Sequence, residues 1–267
     1  MKRLVPVGRA SLFVGETSMA SERLYYSDAY LRTFDSEVVE LRDDGIILTR
    51  TAFYPRGGGQ PPDRGTMESS AGISWVVDVS GSGPEIVHRV EGTRHAAGER
   101  VRCALDWDLR YRYMRLHTAL HALSAVILRD WGADVTGSNI ADGGEKARMD
   151  FSLEGIRISD ILEEVEGKVN AEVARSLPVK TYELPREEAL AIPDLIRTHI
   201  NLLPEQIERV RIVEIEGLDL QADGGTHVSN TREVEGIKVL GGSNKGKINR
   251  RIEIALRGLG AQGDADV

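Results

Sequence analysis

A single cysteine, Cys103, stands among 267 residues, so no disulfide can close within the chain. That suits a reducing cytoplasm, where we expect the protein to work. Cys103 lies in a short apolar run and reads as a buried strand residue. No apolar run approaches the roughly 18 residues that a membrane-spanning helix needs. Positive charge is also scarce: 34 Lys and Arg against 42 Asp and Glu leave a net charge of −8. General nucleic-acid binders are basic, so broad binding along a phosphate backbone is disfavoured. A local contact to the end of a nucleic acid is not. Lys2, Arg3 and Arg9 are followed by short apolar runs only, which makes a poor secretory signal. Residues 1–22 read as a flexible extension and 259–267 as a tail.

With 41% hydrophobic residues, the chain can fill one large domain or two modest ones. The first half has strand character. Glu37–Leu41 and Gly45–Thr49 flank Asp44-Gly45, a hairpin signal. Trp75–Val79, Glu85–Val90 and Arg100–Leu105 follow as short strands, and such a series suggests a small barrel. From Asp108 to Trp131 the period becomes helical, with Leu109, Leu116, Leu120, Leu123 and Ile127 on the stripe and Gly132 as the stop. A second helix is expected from Ser159, as N-cap, to Leu177, ended by Pro178. Strands are expected at Lys146–Phe151, Val179–Leu184, Val210–Ile215 and Ile248–Leu256. The fold class is α+β: an N-terminal β-barrel with a glycine-rich loop over 23–106, then an α+β metal-binding domain over 107–258.

Chemistry concentrates in two fragments. His117 and His121 stand four apart in the predicted helix, so both rings lie on one face and reach a single cation. Two packed or solvent-facing histidines are the plainer alternative. The glutamate of a His-Glu-x-x-His peptidase is missing, because Thr118 occupies its place. Asp223-Gly224-Gly225-Thr226-His227 is a turn when taken alone. Joined to the histidine helix, it completes a set of three imidazoles and one carboxylate. Zinc accepts such a set at about 2.0–2.2 Å, and cobalt or manganese stay open. Tyr54 to Asp63 encloses Gly57-Gly58-Gly59-Gln60. It lacks a P-loop lysine, and Pro61-Pro62 argues against a helix starting there with free N–H groups. It reads either as a plain hairpin or as a backbone surface laid over a substrate. Arg110, Arg112 and Arg115, and the run Lys245 to Arg251, read as solvated faces with room for a phosphate contact.

Thr51 to Pro55 with the glycine loop, the histidine helix, Thr136-Gly137-Ser138, Arg148 to Phe151 and Gly224 to Val228, in this order, resemble the AlaX family of alanyl-tRNA editing proteins and the editing domain of alanyl-tRNA synthetase. The likeness covers roughly Arg23 to Leu256, and the glycine-rich module matches the medium-length type. It implies a hydrolase acting in trans on Ser-tRNA(Ala), with Gly-tRNA(Ala) as a second substrate, through one zinc per chain. The family's zinc is held by His-x-x-x-His and Cys-x-x-x-His pairs, which correspond to His117, His121, Asp223 and His227. Aspartate thus stands at the cysteine position, a harder anionic donor. Thr136 aligns with the polar residue that senses serine's hydroxyl, and Gly57, Gly58, Gly59 and Gln60 with the substrate-handling loop. A deacylase for another aminoacyl-tRNA or a small ester, and a non-catalytic tRNA-binding module with structural zinc, are the competing readings. Monomer and homodimer are both compatible with the sequence.

Overall fold

A computed structural model describes residues 20–81, 83–196, 207–246 and 248–258. The expected tail, Lys247 and all but the last three residues of the expected N-terminal extension lie outside that set.

Six antiparallel strands close a barrel: β1 (Thr33–Leu41), β2 (Ile46–Leu48), β3 (Gly65–Ser69), β4 (Gly72–Ser80), β5 (Val87–Gly92) and β6 (Arg100–Leu105). Their order around the barrel is β1-β2-β5-β4-β3-β6, with β6 returning to β1. Inward residues alternate with outward ones, as the two-residue strand period requires. In β1, Phe34, Ser36 and Val38 turn inward. Phe34, Val38, Leu48, Phe53, Met67 and Val79 fill the interior beside Cys103, whose burial raises the thiol to about 12.

The chain leaves β6 directly into the long helix α1 (Trp107–Trp131). Asp106 caps it by accepting from the Leu109 amide, and Gly132 ends it at φ 64°, a left-handed position that glycine takes without strain. All five residues of the expected stripe are buried. Nearly the whole middle of α1 is covered, because it is enclosed by several elements. A four-stranded antiparallel sheet lies on it, with β7 (Val135–Ile140), β8 (Ala147–Ser152), β12 (Ile237–Lys245) and β13 (Asn249–Leu256) in the order β12-β13-β8-β7. Helix α2 (Leu162–Ala174) packs against it too. A three-stranded antiparallel sheet of β9 (Val179–Pro185), β10 (Arg209–Ile215) and β11 (Asp219–Ala222) carries the chain into the second fragment.

Two local expectations are corrected. Ser159 does not cap α2. It sits in a 3₁₀ turn, Ile158–Asp160, bonded to the adjacent Asp160 carboxylate, and the α-helix begins three residues later. Local side-chain bonding competes with capping, and here it wins. Nor are Arg110 and Arg115 a solvated face. Arg110 is fully buried and donates to Asp63 and to the carbonyls of Ala29 and Ala52. A buried pair that also satisfies backbone carbonyls fixes geometry, and this one ties the exit of the glycine loop to α1. Arg115 donates to the Val234 carbonyl and to Glu235. In the other basic run, Arg250 is buried against the Ile156 carbonyl and Arg251 is paired with Asp150.

Candidate metal centre

His117 and His121 project from the same face of α1. Asp223 and His227 come from the irregular segment that follows β11. One ligand atom from each of the four lies within 4.8 Å of the others. The ring centroids are 5.4 Å (His117–His121), 4.5 Å (His117–His227) and 4.6 Å (His121–His227) apart. All three rings are at most 5% exposed.

The hydrogen bonds behind the rings orient them. His117 Nδ1 meets Gln60 Oε1 at 3.0 Å, and the same oxygen accepts the Thr226 amide at 3.0 Å, so it is an acceptor and Nδ1 carries the proton. His121 Nδ1 donates to Asp219 Oδ2 at 2.9 Å. Thr118 Oγ1 donates to the Met114 carbonyl and accepts from His227 Nδ1 at 3.2 Å. Each imidazole therefore holds its proton at Nδ1, and His117 and His227 turn the Nε2 lone pair toward Asp223. Carboxylate and carbonyl partners behind metal-binding histidines fix the tautomer in this way.

His227 Nε2 lies 3.0 Å from Asp223 Oδ2, and His117 Nε2 3.6 Å from Asp223 Oδ1. Lone pairs aimed at a carboxylate at such distances repel unless a cation stands between them. Three nitrogens and one oxygen fit a tetrahedral divalent ion.

Protonation states agree. Burial pushes His117 down to about 4 and His227 well below its ordinary range. His88, sealed in the barrel against Thr51 and the Ile46 carbonyl, is likewise pushed down to about 4 by burial. An unfolded chain takes up these protons near pH 6.5, whereas the folded one resists until about 4. The unfolded state then binds more protons across that window, so stability falls as the pH drops. We expect the unfolding free energy of the metal-free protein in urea to decline steadily from pH 6.5 to 4. A flat profile would contradict neutral buried imidazoles.

Two glycines are dictated by contact. A Cβ on Gly225 would come within 2.1 Å of His117 Cε1, so the backbone itself forms the wall against that ring. The Gly225 amide donates to Asp223 Oδ2 at 2.7 Å and fixes the carboxylate. A Cβ on Gly59 would meet Ser138 Oγ at 2.6 Å. Gly57 and Gln60 bond each other reciprocally around Gly58 and Gly59, both at positive φ. Gly59 also accepts the Ile140 amide. This tight turn sits over Asp223, with a Cβ on Gly58 at 3.6 Å from Oδ1.

The structure therefore gathers His117, His121, Asp223, His227 and the Gly57–Gly59 turn in one place. Gln60, expected beside the substrate, stands behind His117. It is buried, and its amide is engaged by His117 and by Thr226. Thr136 is exposed. The register of β7 on β8 steps from Gly137–Asp150 to Val135–Phe151, so Thr136 is the extra residue of a β-bulge. No hydrogen bond joins it to the four-residue cluster among the described residues, and Ser138 is the hydroxyl that touches the glycine turn. The sequence reading missed Asp219 behind His121. Its one signal is an acidic residue between Leu218 and Leu220 in an apolar stretch.

Residues 210–253 match the family described as the threonyl and alanyl tRNA synthetase second additional domain, and residues 2–109 match tRNA synthetases class II (A). Alanyl-tRNA editing protein AlaX-M of Methanosarcina barkeri is 40% identical over 243 residues, covering 88% of this chain and 99% of the relative. The protein of the same name from Saccharolobus solfataricus is 41% identical over 240 residues, covering 89% and 99%. Alanine–tRNA ligase of Pyrobaculum calidifontis is 36% identical over 224 residues, 82% of this chain and 25% of the ligase.

Proposed function

The chain belongs to the AlaX family of alanyl-tRNA editing proteins, and we propose that it removes serine from mischarged tRNA(Ala), with glycine as a second substrate. It is an aminoacyl-tRNA deacylase. We place the reaction in the cytoplasm and assign it to one zinc per chain, held by His117, His121, Asp223 and His227. Editing in trans agrees with an alignment that runs over 99% of the AlaX-M relatives and only 25% of the ligase. The observation that carries this reading is the convergence of three imidazoles and one carboxylate, each ring tied back through Nδ1.

Zinc held by His117, His121, Asp223 and His227 would supply Lewis acidity to the reaction. The chain's part is positioning. Gln60, Asp219 and Thr118 hold the imidazoles at their Nδ1 protons, and Gly225 holds Asp223. The Gly57–Gly59 turn presents side-chain-free backbone beside Asp223, where an aminoacylated ribose can approach closely. Water adds to the carbonyl carbon, the bond to the ribose oxygen breaks, and that oxygen takes the proton. An aminoacyl ester is already reactive, so placement within a dry, preorganised site supplies much of the acceleration.

Selectivity requires sensing one hydroxyl, since alanine differs from serine by that group alone. A site that bonds a substrate hydroxyl rejects the analogue lacking it by up to about 10⁴–10⁵. We assign the sensing to the strand end Thr136–Ser138. The family resemblance selects Thr136, and the contact with Gly59 favours Ser138. The experiment compares tRNA(Ala) charged with serine, glycine or alanine. The wild type is expected to deacylate the seryl form far faster than the alanyl form. Thr136→Val should cost about tenfold of that ratio, the worth of one hydrogen bond. If Ser138→Ala causes the loss and Thr136→Val does not, sensing moves to Ser138. Equal rates on seryl and alanyl substrates in the wild type would overturn the editing reading.

A further inference from the structure

Arg23 and Arg211 both lie over the ring of Tyr26, with guanidinium carbons 5.7 and 5.1 Å from its centroid. All three residues are half-buried. Arg211 is fastened to the metal loop: its Nη1 donates to the Asp223 carbonyl at 2.9 Å, and its own carbonyl accepts the Asp223 amide at 3.2 Å. Tyr26 closes the gap from the other direction, with its hydroxyl 3.6 Å from where a Cβ on Gly224 would stand. Arg23 is held by the Gly83 carbonyl and by the Tyr26 hydroxyl. In a chain with 42 acidic residues against 34 basic ones, neither arginine has a carboxylate within 4.0 Å among the described residues. Glu183 stands opposite Arg211 across the strand pair, yet it is engaged by Arg209. Two fixed, half-desolvated guanidinium groups beside a metal loop, both lacking a carboxylate, form a site for an anion.

We propose that Arg23 and Arg211 form a phosphodiester-binding subsite that holds the linkage 5′ to the terminal adenosine of the substrate RNA. This rests on the reading of the chain as a deacylase of aminoacylated RNA ends. In such a substrate the phosphodiester nearest the ester belongs to the same nucleotide, so an ester carbonyl at the metal centre brings that phosphate to its rim. Guanidinium forks match phosphate oxygens pairwise, and such charge-assisted bonds are about twice as strong as neutral ones. A local subsite of this kind also reconciles an acidic chain with an RNA ligand, because it needs one phosphate and no extended basic surface.

The test is binding of a deacylated minihelix ending in CCA. Its last phosphodiester is either natural or replaced by a neutral methylphosphonate. The metal-loaded wild type is compared with Arg23→Ala and Arg211→Lys. The methylphosphonate is expected to weaken wild-type binding about tenfold. Arg23→Ala should weaken the natural RNA about tenfold, and the two changes together should cost little more than either alone. Arg211→Lys keeps the charge but loses the fork and should cost about threefold. Arg23→Ala should also lose about one unit of salt slope on the natural RNA, whereas Arg211→Lys, which keeps its charge, should retain it. A wild type indifferent to the methylphosphonate, or losses that multiply, would overturn the subsite. Metal content measured on each variant separates a lost phosphate contact from a displaced Asp223, and Arg23 makes no contact with that loop. No deacylation is read in this assay, so inactivity toward seryl-RNA would sink the functional reading separately.

Discussion

His227→Ala is expected to lose bound metal and to slow deacylation by about a thousandfold, the scale for removing a group on which a metal-dependent step relies. The change removes one of four donors, and it does so on the irregular side of the site. His117 and His121 are carried on a buried helix, whereas Asp223 and His227 lie in a segment without regular structure. Without His227, the Gly225 amide still fixes Asp223 Oδ2. Thr118 Oγ1 still bonds the Met114 carbonyl and the Val228 amide, so the helix side should stay in place. Metal content by elemental analysis and unfolding in urea check the two halves of the claim. His88→Gln is the control. His88 is as buried as His227, but its partners are Thr51 and Ile46 of the barrel. That change should lower stability while leaving the metal bound. A His227→Ala protein that keeps stoichiometric metal would show that the fourth group is dispensable.

Gln60→Leu should weaken metal binding by about ten- to a hundredfold, although Gln60 touches no metal. It is the group that holds the proton of His117 in place. Its oxygen receives both the His117 Nδ1–H and the Thr226 amide, and its nitrogen donates to Thr226 Oγ1. Leucine preserves much of the volume but strands two buried N–H groups, each at a cost of about 1–3 kcal/mol. Partners behind metal-binding histidines have effects of the expected size on affinity. Gln60→Glu should lose less, since a carboxylate still accepts from His117. Competition with a chromogenic chelator measures the affinity of each variant. An unchanged affinity in Gln60→Leu would return Gln60 to the substrate-handling role that its neighbours suggest.

Gln60 also marks where the sequence ceases to be legible. The His117–His121 pair is readable because four residues make about one helical turn, a fact independent of the rest of the fold. Barrel strands are readable because burial on one side alternates with period two. Asp223 and His227 are spaced by four as well, yet no helix joins them; a turn through Gly224 and Gly225 does. Their pairing with the helix became visible only as a chemical set. Arg110 illustrates a different limit. An arginine in a helix reads as solvated until its partner is known, and Asp63 is 47 positions away. Asp219 and Gln60 act on histidines 98 and 57 positions distant, so local pattern carries no trace of either role. Resemblance selects Thr136, which stands at a one-residue bulge in β7. Such a register step depends on the neighbouring strand and leaves no mark in the strand's own residues.

The claim beneath all of this is that Asp223 joins three histidines around one ion. X-ray absorption at the zinc edge of the purified, loaded protein tests it most directly. One zinc per chain is expected in a four-coordinate shell of nitrogen and oxygen at about 2.0–2.2 Å, with the outer-shell pattern of three imidazoles. Asp223→Cys should add one sulfur neighbour at about 2.3 Å. A zinc shell that lacks imidazole scattering in the wild type, or an Asp223→Cys protein whose zinc gains no sulfur, would contradict it.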